Sequence, residues 1–242
     1  MIEAILSVVH ESRTTIHRLQ TDRGEIALLK STGPRGQTNY EAVLNGTFLF
    51  STYNRDSEKA LARLAIEPIL SQNIPLHVLI GGLGIGYTLQ AVLENKRVHR
   101  VTVVEREPVV VDWCRTRFSS YNGRAVEDSR VTILICDFRD FLRTSVDTFH
   151  AVCLDVDNGP DWLVWEENRT LYEEPGLKEI KKTLEPGGCL AVWSSTRTES
   201  LEKKLRSVFG SSSVHTVRAL EMGREVEYYI YRAMTGRRSN TI

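Results

Sequence analysis

The sequence lacks an excess of either charge. Lys+Arg and Asp+Glu each number 31 in 242 residues, so the formal net charge is zero. A balanced chain has no bulk attraction to nucleic acid or to an anionic membrane. Its only basic run, Gly236-Arg237-Arg238, reads as a solvated tail. Cysteines are few: Cys114, Cys136, Cys153 and Cys189, with no CxxC pair, three of them in apolar strand-like runs. This excludes a disulfide framework and a thiolate zinc site, and it fits a reducing, cytoplasmic setting. The six histidines form no HExxH or close pair, so no metal is expected. No apolar run reaches membrane-spanning length, and the N-terminal MIEAILSVVHESR is too short in apolar residues and too acidic for a signal peptide.

What is present is a core-forming composition, 41% hydrophobic and 26% charged. Up to about residue 53 the chain reads as β. IEAILSVV, TTIHRLQT and GEIALLKS are followed by YEAVL and TFLFST, the last two joined by an Asn45-Gly46 hairpin turn. From Asp56 the period changes to helical through about Gln72, with Leu61, Leu64, Ala65 and Ile69 on one face. Then the strands LHVLIGG, RVTVVE, VTILIC, HAVCLD and CLAVWSS alternate with helices near 86–95, 107–118, 138–144, 171–184 and 197–209. Unalternated strands joined by helices predict an α/β fold with a doubly wound, mostly parallel sheet. SVHTVRALE and VEYYIYRA, with no helix between them, add an antiparallel hairpin and bring the sheet to seven strands. The expected boundaries are an N-terminal β region at 1–54, a catalytic domain at 55–234 and a tail at 235–242.

The first of these strands runs into Gly82, Gly84 and Gly86. Position 87, where a dinucleotide fingerprint has its third glycine, is Tyr87, so an NAD or FAD turn is not predicted. The shorter G-x-G-x-G suits a tight turn against which an adenosyl group lies. Glu105 ends the second strand, where a carboxylate accepts both ribose hydroxyls. Asp137 ends the third, followed by Phe138. Two roles stand open for Asp137: accepting the adenine N6 amino group while the Phe138 ring packs on the base, or capping the helix that follows.

The fourth strand stops at Asp155-Val156-Asp157-Asn158-Gly159-Pro160-Asp161, with Trp162 and Trp165 close behind. Ligands of such sheets bind beyond the carboxyl ends of the strands. Carboxylates there favour a cationic sulfonium and a protonated amine. Asp155 is expected to orient an amine and accept its proton, with Asp157 supplying a second negative charge. Asn158, Trp162 and Tyr172 are expected on the acceptor side, and Trp165 as a further wall, offering cation–π contact. The bland alternative is an Asp/Asn-rich turn with tryptophans on the core.

Together these stretches resemble the spermidine synthase-like (polyamine aminopropyltransferase) family within the S-adenosylmethionine-dependent class I methyltransferase fold. VLNGTFLFSTYNRDSEKALARL resembles its N-terminal hairpin and first helix, GGLGIGYTLQ its glycine loop, VVEREPVVVDWCR and CDFRDFL its ribose and adenine positions. LDVDNGP falls at its catalytic acids and LEPGGCLAVWSS at the next turn and strand. The resemblance implies a Rossmann-like transferase that uses S-adenosylmethionine or its decarboxylated form on a small amine, and it is compatible with a homodimer. Some positions depart from the family pattern. The loop aspartate that holds the donor's amino group is Gly84 or Ile85 here, and a hairpin glutamine is Leu49. The Tyr-His-Glu of the diamine pocket is replaced near Ser57-Glu58-Lys59, and the second loop aspartate is Asn158. These departures favour methyl transfer, with aminopropyl transfer and a non-catalytic nucleoside-binding module as alternatives.

Overall fold

The computed structural model describes residues 13–21, 23–33, 36–53, 55–221 and 224–237. The chain divides after Tyr53 into two compact units. The expected strand IEAILSVV lies outside the described residues.

The first unit is a four-stranded antiparallel meander, β1 (Thr14–Thr21), β2 (Gly24–Thr32), β3 (Thr38–Leu44) and β4 (Thr47–Ser51), in the order β1-β2-β3-β4. Asn45 and Gly46 both take positive φ, the backbone that a two-residue hairpin requires, which is why this turn was legible as Asn-Gly.

The second unit opens with α1 (Asp56–Ile66), continued as a 3-10 helix over Glu67–Gln72. Pro68 at the start of that segment removes an N–H that a continuing α-helix would use. There follow β5 (Leu76–Gly81), α2 (Tyr87–Leu93), β6 (Val98–Glu105), α3 (Pro108–Thr116), β7 (Val131–Ile135), α4 (Phe138–Thr144), β8 (Phe149–Leu154), α5 (Glu174–Lys182), β9 (Leu184–Ser194), α6 (Glu199–Phe209), β10 (Ser213–Glu221) and β11 (Arg224–Met234). The sheet order is β10-β11-β9-β8-β5-β6-β7, parallel from β9 to β7 and antiparallel at β11. This is the seven-stranded, doubly wound sheet expected from the alternation of runs. Its central strands are apolar on both faces, with Val78, Leu79, Ile80, Val152, Cys153, Leu154 and Val192 fully buried.

Two boundaries differ from expectation. The helix anticipated over 171–184 is a 3-10 helix at Glu166–Tyr172 and then α5, because Pro175 fits only the first turn of a helix. The stop at Glu185-Pro186-Gly187-Gly188 lies inside β9. There the register slips from Phe149↔Leu184 to Ala151↔Cys189, and Gly187 takes φ 76°. All four cysteines are free. No helix among the described residues is long and apolar enough to cross a membrane, and no group of three or more His, Cys, Asp or Glu among them is placed to hold a metal ion.

Candidate active site

The site is organised by the turn between β5 and α2. Gly82, Gly84 and Gly86 have φ of 87°, 51° and 94°, a left-handed run that L side chains resist. Gly82 is also fixed by proximity, since a Cβ there would stand 2.0 Å from the Asp155 carbonyl oxygen. The turn is tied down on all sides. The Asp155 N–H donates to Gly81 O at 2.8 Å and the Gly82 N–H to Val104 O at 2.9 Å. Cys114 Sγ donates to Gly84 O at 3.1 Å, and buried Asn122 donates from Nδ2 to Ile85 O at 3.0 Å.

Glu105 stands on one flank of the turn, only 8% exposed. Its Oε2 accepts the Leu83 N–H at 2.9 Å and its Oε1 the Glu107 N–H at 2.8 Å. Burial raises its pKa, and these backbone donors pull against that rise. Each oxygen keeps a lone pair for a further donor.

Asp155 stands on the other flank, half-buried at the end of β8, with Oδ2 accepting the Thr88 hydroxyl at 3.1 Å. Burial pushes its carboxyl up to about 6, against the Thr88 bond. The low-dielectric surroundings make its charge costly and the group a better base. Glu58, in the first turn of α1, completes the wall. Burial first, then repulsion from Asp155, pushes it up to about 8, although Ser57 Oγ donates to it at 2.5 Å. Glu221 adds to this field, and the Tyr228 hydroxyl donates to Glu221 Oε1 at 2.5 Å while its ring lies 5.2 Å from that of Trp193. Trp193 Nε1 is buried without a hydrogen-bond partner. Sequence reasoning missed Glu58, Thr88, Glu221 and Tyr228 as site residues. Only Glu58 left a signal, as an acid inside the rewritten Ser57-Glu58-Lys59 stretch.

Asp157, expected to supply charge, is 7% exposed and spends its carboxylate on its own loop. Oδ1 accepts the Val164 N–H at 2.8 Å and the Trp165 N–H at 3.4 Å, and Oδ2 the Tyr172 hydroxyl at 3.3 Å. Tyr172 is buried behind it, 2% exposed. Asn158 is buried, and its carbonyl accepts the N–H and hydroxyl of Ser195 at 3.0 and 2.6 Å, fastening the loop to the end of β9. Trp162 stands 48% exposed, whereas Trp165 lies over the Arg106 guanidinium, 4.4 Å from Cζ to ring centroid.

At the end of β7, Asp137 caps α4, accepting the Arg139 N–H at 2.8 Å. Burial would raise its pKa, but Arg139 and Arg106 bring it below the usual carboxylate range. Phe138 is 5% exposed and packs over Gly81, where a Cβ would meet its Cε2 at 2.8 Å. Its ring belongs to the core with Phe141 and Phe149.

The structure thus brings the glycine turn, Glu105 and Asp155 to one place at the carboxyl ends of β5, β6 and β8, in the crevice where open α/β sheets bind ligands. Residues 62–217 match the spermine/spermidine synthase domain. The chain belongs to the spermine/spermidine synthase family. It is 30% identical to polyamine aminopropyltransferase 2 of Pseudomonas aeruginosa over 76% of this chain and 57% of that protein. It is 28% identical to polyamine aminopropyltransferase of Sulfolobus acidocaldarius over 57% of this chain and 45% of that protein. The chain therefore spans about half the length of the curated relatives it matches. Spermidine synthase from Thermotoga maritima superposes with a TM-score of 0.72 at 19% identity, over 92% of this chain and 73% of that one. A spermidine synthase solved with the transition-state analogue AdoDATO gives 0.71 at 18% identity, over 92% and 72%. These likenesses fix the fold.

Proposed function

We propose that the protein is a transferase that moves an aminopropyl group from decarboxylated S-adenosylmethionine to a small amine. The observation that carries this reading is the glycine turn held between two carboxylates, Glu105 bonded to the Leu83 N–H and Asp155 against Gly82. One flank suits a ribose, and the other an amine approaching the sulfonium carbon. The relatives support aminopropyl over methyl transfer, because they are named polyamine aminopropyltransferases and a structural neighbour binds AdoDATO. The methyl transfer favoured by the departures from the family pattern is accordingly set aside.

In this reading the amine lone pair attacks the carbon attached to sulfur, the C–S bond breaks with its electrons passing to sulfur, and 5′-methylthioadenosine leaves. Asp155 orients the amine and accepts its proton. With Asp155 near 6 and Glu58 near 8, the pair carries about one negative charge at neutral pH, matched to one ammonium. Glu105 accepts the ribose hydroxyls. Incubation with decarboxylated S-adenosylmethionine and a panel of amines should give products heavier by one aminopropyl group, with release of 5′-methylthioadenosine. Gain of a methyl group from S-adenosylmethionine, or nucleoside binding without transfer to any amine, would overturn it.

A further inference from the structure

Arg106 carries an incomplete interaction. It follows Glu105 at the end of β6, and the Cys136 N–H donates to Glu105 O at 3.1 Å, so the ends of β6 and β7 are tied side by side. Across that tie Arg106 Nη1 faces Asp137 Oδ2 at 3.4 Å, yet Nη1 is buried without a hydrogen-bond partner. The carboxylate balances its charge and leaves its N–H unbonded. A buried charged donor without an acceptor has lost its hydration with nothing to offset it, and buried polar atoms in native proteins are nearly always partnered. The guanidinium is also held in place, since the Trp165 ring lies 4.4 Å from Cζ and fixes its plane. Asp137 is incomplete in the opposite sense. A carboxylate offers about four lone-pair positions. Oδ1 accepts the Arg139 N–H at 2.8 Å and Arg139 Nε at 3.0 Å, whereas Oδ2 accepts Arg139 Nη2 at 2.8 Å and keeps a position open. An open acceptor thus stands beside an open donor.

We propose that Arg106 reads the nucleobase directly, donating from Nη1 to a ring nitrogen of adenine beside the 6-amino group, while Asp137 Oδ2 accepts from that amino group. The inference rests on the proposed donor, decarboxylated S-adenosylmethionine, occupying the cleft. Adenine presents a donor, its 6-amino group, next to a ring acceptor, N1 on one edge and N7 on the other. An acceptor and a donor 3.4 Å apart on the protein answer that pair with two roughly parallel hydrogen bonds. A 6-oxo purine meets the same pair with an acceptor against the Asp137 carboxylate and is disfavoured. Glu105, which accepts the ribose hydroxyls in the proposed reading, is the preceding residue, so sugar and base are read by consecutive positions at the end of one strand. Trp165 is a positioning residue in this scheme, acting through the plane in which it holds the guanidinium.

The test is calorimetry with 5′-methylthioadenosine and its 1-deaza, 7-deaza and 6-deamino analogues, on the parent and on Arg106→Leu. Arg106→Met, which keeps an unbranched stem and a favourable contact with Trp165, is measured beside it in case leucine disturbs the fold. Both variants should bind 5′-methylthioadenosine about tenfold or more weakly, the loss of one hydrogen bond from a charged donor. For one deaza analogue, whose C–H offers no acceptor at the position read, parent and variants should agree within about twofold, since that bond is already missing. The identity of that analogue names the edge. For the 6-deamino analogue the loss should persist at about tenfold, because Nη1 acts on the ring itself. An equal loss for 5′-methylthioadenosine and both deaza analogues would overturn the proposal, leaving Arg106 as a wall of the site. So would a loss that vanishes with the 6-deamino analogue, which would make Arg106 act only through Asp137, and so would no loss at all. Failure of the parent to bind 5′-methylthioadenosine would strike the transferase reading and this proposal with it. Any of the other three results, with the parent binding, strikes the role of Arg106 alone.

Discussion

Gly82 and Asp155 meet at a distance that leaves no room for a side chain, with a Cβ on Gly82 placed 2.0 Å from the Asp155 carbonyl oxygen. The glycine turn and the end of β8, the donor and acceptor sides of the proposed reading, are therefore one rigid junction. Gly82→Ala must either push Asp155 away or unwind the turn. The left-handed backbone alone costs roughly 1–2 kcal/mol for an alanine, before the contact with Asp155 is relieved. Calorimetry and thermal melts should show both weaker nucleoside binding and lower stability. A variant that melts and binds like the parent would show that the junction is slack.

In the proposed reading Glu105 has a double role, holding the turn and accepting the ribose hydroxyls, and its substitution should reveal both parts. Glu105→Ala should weaken 5′-methylthioadenosine binding by about 1.5–3 kcal/mol, the range for hydrogen bonds to a charged group. The same change strands the N–H groups of Leu83 and Glu107, so the melting temperature should fall as well. A melt that drops while calorimetric affinity holds would assign Glu105 to the turn alone.

Most of the sheet was legible because its strands are buried on both faces, so that VLIG, VTVVE and AVCLD read as unbroken apolar runs. The turn was legible because glycine adopts its positive φ values at no steric cost. Charges at strand ends were visible too, but not what they touch. Asp137, Asp155 and Asp157 look alike in the sequence. In the structure one holds two arginines, one faces a hydroxyl in a half-buried cleft, and one is consumed by its own loop. Glu58 was readable as a first-turn helical acid, and its meeting with Asp155 depends on how α1 packs, which no local pattern encodes.

Glu58 should leave a mark on the pH dependence of stability. Its pKa is raised in the folded chain, to about 8, and that of Asp155 to about 6, so both bind their proton more tightly folded than unfolded. The stability they contribute is fully present below their unfolded values and is lost as pH rises through the folded ones. By pH 6.5 most of the Asp155 contribution is gone, and between pH 6.5 and 8.5 Glu58 dominates. The melting temperature should fall over that window and fall less in Glu58→Gln. A parent and variant with parallel profiles would place Glu58 in water, clear of Asp155.

Asp155→Asn decides the chemistry. The substitution keeps the shape and the Thr88 contact and removes the charge that, in the proposed reading, orients the amine and takes its proton. Single-turnover aminopropyl transfer at saturating donor should fall by roughly 10²–10⁴-fold, the usual range for a lost general base. Binding of 5′-methylthioadenosine should change little, since Glu105 lies on the opposite flank of the turn. Asp161→Asn is the control on the same loop. Its carboxylate accepts the Thr198 hydroxyl at the start of α6, away from the glycine turn, so its loss should cost a little stability and almost no turnover. Equal losses at both positions would point to the general field of the loop. Full activity in Asp155→Asn would remove Asp155 from the mechanism and leave Glu58 as the carboxylate to test next.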